Sequence, residues 1–314
     1  MFMNCISRYF IVLIVSILFS AVAHAEDVLR IGYQKSATTL VLLKAAGSLE
    51  NRLKSQGIAV KWTEFPGGPQ LLEGLNVGSV DFGFTGETPP VFAQAAGADL
   101  VYVANEPASP TAEAILVPKT STLKSVADLK GKKVALNKGS NVHYLLVQAL
   151  SDAGLKYSDI TPIYLAPADA RAAFENGGVD AWVIWDPFCA AAEKQIQARV
   201  LRDGRGIVNN YQFYLATRDY ASKHPHVISA LIEEIRLIGS KATQDPQSAT
   251  REVAPLLGLP ENITRVAVER QGYDAQLISP EVIAGQQRIA DTFTELKLIP
   301  KKLDIEQAVW KQPK

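Results

Sequence analysis

The chain has 314 residues, and its 32 Lys and Arg balance 32 Asp and Glu, so the formal net charge is zero. With 47% hydrophobic and 20% charged residues it is not a disordered chain, and 21 Gly, 17 Pro and 2 Cys exclude collagen-like and disulfide-stapled classes. The neutral balance disfavours a nucleic-acid binder that relies on counterion release, and the length suggests about two domains.

Residues 1–25 read as a secretory signal peptide. Arg8 is their one charge, 9–22 are almost wholly apolar, and Ala23-His24-Ala25 is a small-x-small cleavage signature. The apolar run is shorter than the ~20 residues that a spanning helix needs. Cys5 lies ahead of that run, so it is not a lipid-anchored mature N-terminus. The mature chain is expected to begin at Glu26, to be exported and soluble, and to keep one cysteine, Cys189, whose apolar neighbours suit a buried thiol.

Beyond Glu26, strand-like runs at 28–33, 60–65, 80–85 and 100–103 alternate with helix-like stretches at 40–53, 69–76 and 89–96. Such alternation predicts βαβ units around a parallel sheet. The order then restarts, with strands at 133–136, 160–165 and 181–184 and helices at 142–153 and 168–175. Residue by residue, Leu75-Asn76-Val77-Gly78-Ser79-Val80-Asp81 matches Phe174-Glu175-Asn176-Gly177-Gly178-Val179-Asp180. Both read apolar-x-x-Gly-x-Val-Asp, with Gly suited to a left-handed helix end and Asp to the turn into a strand. Two similar open sheets imply two lobes with a ligand cleft between them.

After a strand at 212–217 the alternation stops. Segments 219–223, 227–243, 246–257, 260–268, 280–296 and 305–310 are helix-like and are expected to complete the first lobe. The chain then crosses between lobes twice, near 107–113 and near 210–218. The expected partition is 1–25 signal peptide, 26–110 and 215–314 first lobe, and 111–214 second lobe.

Candidate binding residues lie where strands give way to helices, at 34–39, 66–70, 86–90, 137–141, 166–169 and 185–187. Gly, Pro and small residues there precede helices whose first turns carry free N–H groups, and several converging helix N-termini bind an anion without a lysine. Ser36, Thr38, Thr39, Thr88 and Ser140 can add hydroxyl donors, although the same residue types also serve as plain caps. His143, near a helix start, either donates to an anion or packs. Trp185 beside Asp186 pairs an aromatic plate with a carboxylate, whereas Trp182, of opposite strand parity, reads as core. Glu87, Glu106 and Asp186 are acids whose spacing demands no catalysis. The sequence has no G-x-S-x-G, H-E-x-x-H, Walker A or C-x-x-C motif. His224 and His226 flank Pro225 and support no metal site.

Several blocks in these loops and strands share one likeness: Arg30-Ile31-Gly32-Tyr33-Gln34-Lys35, Glu64-Phe65-Pro66-Gly67-Gly68-Pro69-Gln70, Val179-Asp180-Ala181-Trp182 and Ile184-Trp185-Asp186-Pro187. Through most of the mature chain the sequence resembles the periplasmic aliphatic-sulfonate-binding proteins of ABC importers. The G-x-[VI]-D element is shared more widely, with nitrate, taurine and thiamine-precursor binders. The resemblance implies an α/β, two-lobed, type II periplasmic-binding-protein fold, each lobe a mostly parallel sheet flanked by helices. It implies closure on a ligand, delivery to a membrane permease powered by an ATPase, a monomeric protein and no cofactor. By position it points to Gln34, Gly86, Glu87, Ser140, Asn141, Trp185 and Asp186 as cleft residues, and Lys35 and His143 complete the candidate set. The expected ligand is an aliphatic sulfonate, its head on helix N-termini and its tail against Trp185. Two alternatives stay open. One is taurine, nitrate or another small anion; the ammonium of taurine needs a carboxylate such as Glu87 or Asp186. The other is an enzyme of the same fold, opposed by the export signal and by the absence of the clustered cysteines of such relatives.

Overall fold

The computed structural model describes residues 27–312; the expected signal peptide lies outside them. The first run of the chain gives β1 (Asp27–Tyr33), α1 (Thr38–Ala46), α2 (Ser48–Lys54), β2 (Ile58–Glu64), α3 (Gly68–Asn76), β3 (Phe82–Gly86), α4 (Thr88–Ala95) and β4 (Leu100–Glu106). The second gives β5 (Glu113–Val117), β6 (Lys133–Leu136), α5 (Asn141–Asp152), β7 (Thr161–Tyr164), α6 (Pro167–Glu175), β8 (Ala181–Trp185), α7 (Phe188–Gln195) and β9 (Arg199–Asp203). The remainder is β10 (Gln212–Thr217), α8 (Arg218–Lys223), α9 (Pro225–Gln244), α10 (Pro246–Leu257), α11 (Glu261–Arg270) and α12 (Pro280–Glu295).

The strands form two five-stranded sheets, ordered β2-β1-β3-β10-β4 and β7-β6-β8-β5-β9. In each, the first strand of the βαβαβ unit pairs in parallel with both of the others, and a single reversed strand stands beside the third: β10 between β3 and β4, β5 between β8 and β9. The reversed strand is in both cases the first one after a passage from the other sheet. The two passages are therefore built into the sheets, and each lobe is completed by chain that has just left its partner.

The repeated heptapeptide does the same work twice. Gly78 and Gly177 take φ of +74° and +70°, which a glycine adopts without steric cost. The Asp that follows reaches the neighbouring strand: Asp81 Oδ2 accepts from Arg30 N and Asp180 Oδ2 from Lys133 N, both at 2.8 Å.

Some expectations need correction. The helix read at 40–53 is two helices, because Gly47 is left-handed (φ +62°) and its N–H closes α1 on Leu43 O; the apolar periodicity runs through the break and hides it. β5, β9 and α7 were not delimited. β9 reads Arg-Val-Leu-Arg-Asp, so its charged ends mask a strand whose pairing with β5 supplies the stability. Segment 305–310 holds only a single turn, Glu306–Ala308. β10 is already a strand of the first sheet, so the second passage lies at 204–211, ahead of the expected 210–218 and of a boundary at 214.

Fully buried Leu29, Ile31, Leu40, Leu43 and Leu231 pack on one face of the first sheet, and Leu71, Val91 and Phe293 on the other. Ile115, Leu116, Leu145, Leu146 and Trp182 fill the second lobe. Each such side chain contributes about 1.5–3 kcal/mol by leaving water. α9 packs on α1 and α2, and α12 on α4. The hairpin of α10 and α11 is different. α10 lies on α1, but α11 also touches α7 of the second lobe through Ile263, Ala190 and Ala191.

Candidate ligand-binding cleft

The strand-end loops of the two lobes face one another across a cleft that leaves about 30 Å³ for the centres of water-sized molecules, room for one or two waters. The first lobe contributes Gln34, Lys35, Ser36 and Thr38 from the turn into α1, Gly68 from the start of α3, and Gly86 from the end of β3. The second lobe contributes Asn141 at the start of α5, and Trp185, Asp186 and Pro187 after β8. Helix starts present N–H groups without an intrahelical acceptor, and here α1, α3 and α5 bring theirs to one place from both lobes.

The floor of the cleft is the pair of passages; the sequence places the crossings but does not mark Ser109, Asn210 or Gln212 as cleft residues. Asn210 donates to Ser109 O at 2.8 Å and so ties the second passage to the first. Asn141 Nδ2 donates to Asn210 Oδ1 at 3.1 Å and to Glu113, and Gln212 Nε2 donates to Asn210 Oδ1 at 2.9 Å. Gly86 admits this arrangement, since a Cβ there would stand 2.8 Å from Asn141 Oδ1. Ser109, Asn210 and Gln212 line the cleft. A Ser or Asn in an irregular linker carries no periodic signal that would mark it beforehand.

A third wall comes from the hairpin: Leu257 of α10, Thr264, Ala267 and Val268 of α11, and Gln271 just beyond it. Gln271 Nε2 donates to Ser36 O at 2.9 Å. These residues were expected only to cover the first lobe.

Of the nine candidates, Gln34, Lys35, Gly86, Asn141, Trp185 and Asp186 stand in the cleft wall. Glu87, Ser140 and His143 do not. Glu87 is buried behind the wall, where its Oε2 accepts from Tyr211 N at 3.0 Å, and burial pushes its carboxyl up to about 7. Ser140 spends its hydroxyl on Asn137 O at 2.7 Å, closing the turn before α5. His143 is fully buried; its Nδ1 accepts from Gly139 N, and its ring meets Phe92, Tyr157 and Phe293. Burial, with Lys138 nearby, pushes His143 down to about 3, so it is a neutral packing residue between the lobes. Among the hydroxyls, Ser36 and Thr38 reach the wall, while Thr39 donates to Glu106 Oε1 at 2.9 Å. Trp182 is core, against Phe174, and Cys189 is buried.

Asp186 caps α7 by accepting from Ala190 N at 2.8 Å. Its other oxygen lies 3.5 Å from Nη1 of Arg270, which itself pairs with Glu193 at 2.7 Å. Burial pushes Asp186 up to about 7 against the pull of Arg270. Arg270 is on α11 and its partners follow β8, so this ion pair joins the hairpin to the second lobe. The wall as a whole is polar on its floor and apolar on the hairpin side. That suits recognition of a ligand with a polar and an apolar end.

A family model described as NMT1/THI5 like matches residues 53–249. The chain is 48% identical over 291 residues to a protein of Escherichia coli (strain K12) named as aliphatic sulfonates-binding, covering 92% of this chain and 91% of that one. The alkanesulfonate-binding protein SsuA from Xanthomonas axonopodis pv. citri, solved bound to MOPS, superposes with a TM-score of 0.87 at 44% identity, covering 90% of this chain and 98% of that one. The periplasmic aliphatic sulphonate binding protein SsuA from Escherichia coli gives 0.83 at 47% identity, covering 91% and 93%. The two-lobed α/β fold expected from the sequence is the fold of these structures.

Proposed function

The chain belongs to the NMT1/THI5-like family, together with the aliphatic-sulfonate-binding proteins, and on that premise we propose that it captures an aliphatic sulfonate in the periplasm and hands it to the permease of an ABC importer. The observation that carries this reading is the two-lobed cleft, where helix starts of both lobes meet beside Trp185 and an apolar wall. A sulfonate head has three acceptor oxygens and suits several converging N–H and hydroxyl donors, with Lys35 as a cation on the wall. The organic tail then lies against Trp185 and the hairpin.

Lobe closure is the state the permease reads. The moving bodies are 27–110 with 212–312, against 111–211, hinged at the Ser109 and Asn210 passages. Export through the leader places the protein in the periplasm as a monomer that needs no cofactor. Gln34, Lys35, Gly86, Asn141, Trp185 and Asp186 are the proposed contact residues. Calorimetry with short alkanesulfonates, taurine, sulfate and nitrate tests the reading. Binding of alkanesulfonates above the inorganic anions supports it; tight nitrate or sulfate binding without any sulfonate sinks the ligand and leaves the fold untouched.

A further inference from the structure

The cleft is chemically two-sided, and its sides are held differently. The polar side is pinned by hydrogen bonds within the lobes and passages: Gln34 Nε2 to Phe84 O at 2.9 Å, and Asn210 to Ser109 O at 2.8 Å. The apolar side is the α10–α11 hairpin, with Leu257, Ala267 and Val268 facing the space shared with Trp185 and Pro187. Leu257 and Ala267 are 6% and 8% exposed, so a change of volume at either is felt inside the cleft.

The hairpin is also fixed from both directions. Gln271 holds its end to Ser36 of the first lobe, and Ile263 and Arg270 hold α11 to α7 of the second. Its position is set by both lobes at once. A chain that is too long displaces α11 from α7, and a short one leaves apolar surface uncovered.

Resting on the sulfonate reading above, we propose that the α10–α11 hairpin gauges tail length, with Leu257 and Ala267 as the residues that set the limit. The polar head stays with the helix starts, so head recognition and length selection are carried by different walls.

The test is calorimetry on linear alkanesulfonates from one to eight carbons, with wild type, Leu257→Ala and Ala267→Leu. Leu257→Ala moves the preferred length up by about one or two carbons, and Ala267→Leu moves it down. Each methylene beyond the new limit costs about tenfold in affinity. Methanesulfonate, which has almost no tail, changes less than the longest chain does in both. Ala267→Val, a smaller insertion, serves if leucine prevents folding, and thermal unfolding checks each variant. The inference is overturned if the variants keep the wild-type ranking of lengths, or if methanesulfonate falls in parallel with the longest chain. A wild type that binds no member of the series overturns the sulfonate reading and this inference with it.

Discussion

Laid over one another, the two lobes share strand order, the reversed strand, the left-handed glycine and the aspartate that reaches the next strand. They differ in what is built on that frame. In the first lobe Asp81 accepts from the backbone of Arg30 and also from its side chain, at 2.8 Å and 2.7 Å, and is buried. In the second, Asp180 Oδ2 accepts from the backbone N–H of Lys133 at a more exposed turn. The first lobe is wrapped by α9, α10 and α12; the second is closed by its own three helices and a single core. A duplicated frame makes a cleft with two like walls. The added helices of one lobe supply the third wall, and with it the asymmetry that a ligand with unlike ends requires.

The strongest way to break this comparison is through the second lobe's core. Trp182 is fully buried against Phe174, and Trp182→Ala should cost about 3–5 kcal/mol in denaturant unfolding. A loss below about 1 kcal/mol would show that the second lobe does not depend on that one core.

The next largest effect is a drift of stability with pH. Burial raises Glu87, Glu106 and Asp186 to about 7 in the folded protein, whereas unfolded carboxyls titrate near ~4. Between these values the folded state binds more protons than the unfolded one, so stability falls as pH rises from about 4 to about 7, then levels off. Glu106 lies inside the first lobe under Thr39 and Tyr214; Asp186 faces the cleft. Unfolding free energies across this range should fall less steeply in both Glu106→Gln and Asp186→Asn. Only the second should also alter ligand affinity, and identical ligand behaviour in the two would erase the distinction.

The twin aspartates give a more direct contrast. Asp81→Ala should cost about 2–3 kcal/mol and Asp180→Ala about 1 kcal/mol, because only the first gives up charged side-chain hydrogen bonds together with the backbone one. Equal losses, measured by the same denaturant titration, would mean that the Arg30 pair contributes nothing. The smallest expected effect is at the join between hairpin and second lobe. Arg270→Gln removes a partly exposed ion pair, worth about 1 kcal/mol. It should weaken ligand binding by about fivefold and lower the melting temperature of the free protein by only about 2–4 °C.

Much of the frame was legible beforehand. Strand and helix periods are local, and so are the turn signals, which is why α10 was bounded at both ends and why the repeat could be read from seven residues. Gly78 and Gly177 are where the heptapeptide required a left-handed residue, although the role of its aspartate, a hydrogen bond to the next strand, needed the pairing to be seen. Elements stabilised by partners rather than by their own pattern were missed; β5 and β9 pair with each other, and neither has a strong period.

The site was legible in part, for a physical reason. The sequence determined two βαβαβ frames, their turns and the loops at the strand ends, because these follow from side-chain periodicity and backbone preference within a few residues. Tertiary structure alone decided which polar groups are free to meet a ligand. Ser36 and Ser140 have the same chemistry and both precede helices, yet one reaches the cleft and the other is spent on Asn137 O. Asn210, Gln212, Leu257 and Ala267 reach the cleft only because the chain crosses twice and its last helices fold back over the first lobe. Convergence of residues so far apart in the chain is set by packing, which no local pattern encodes.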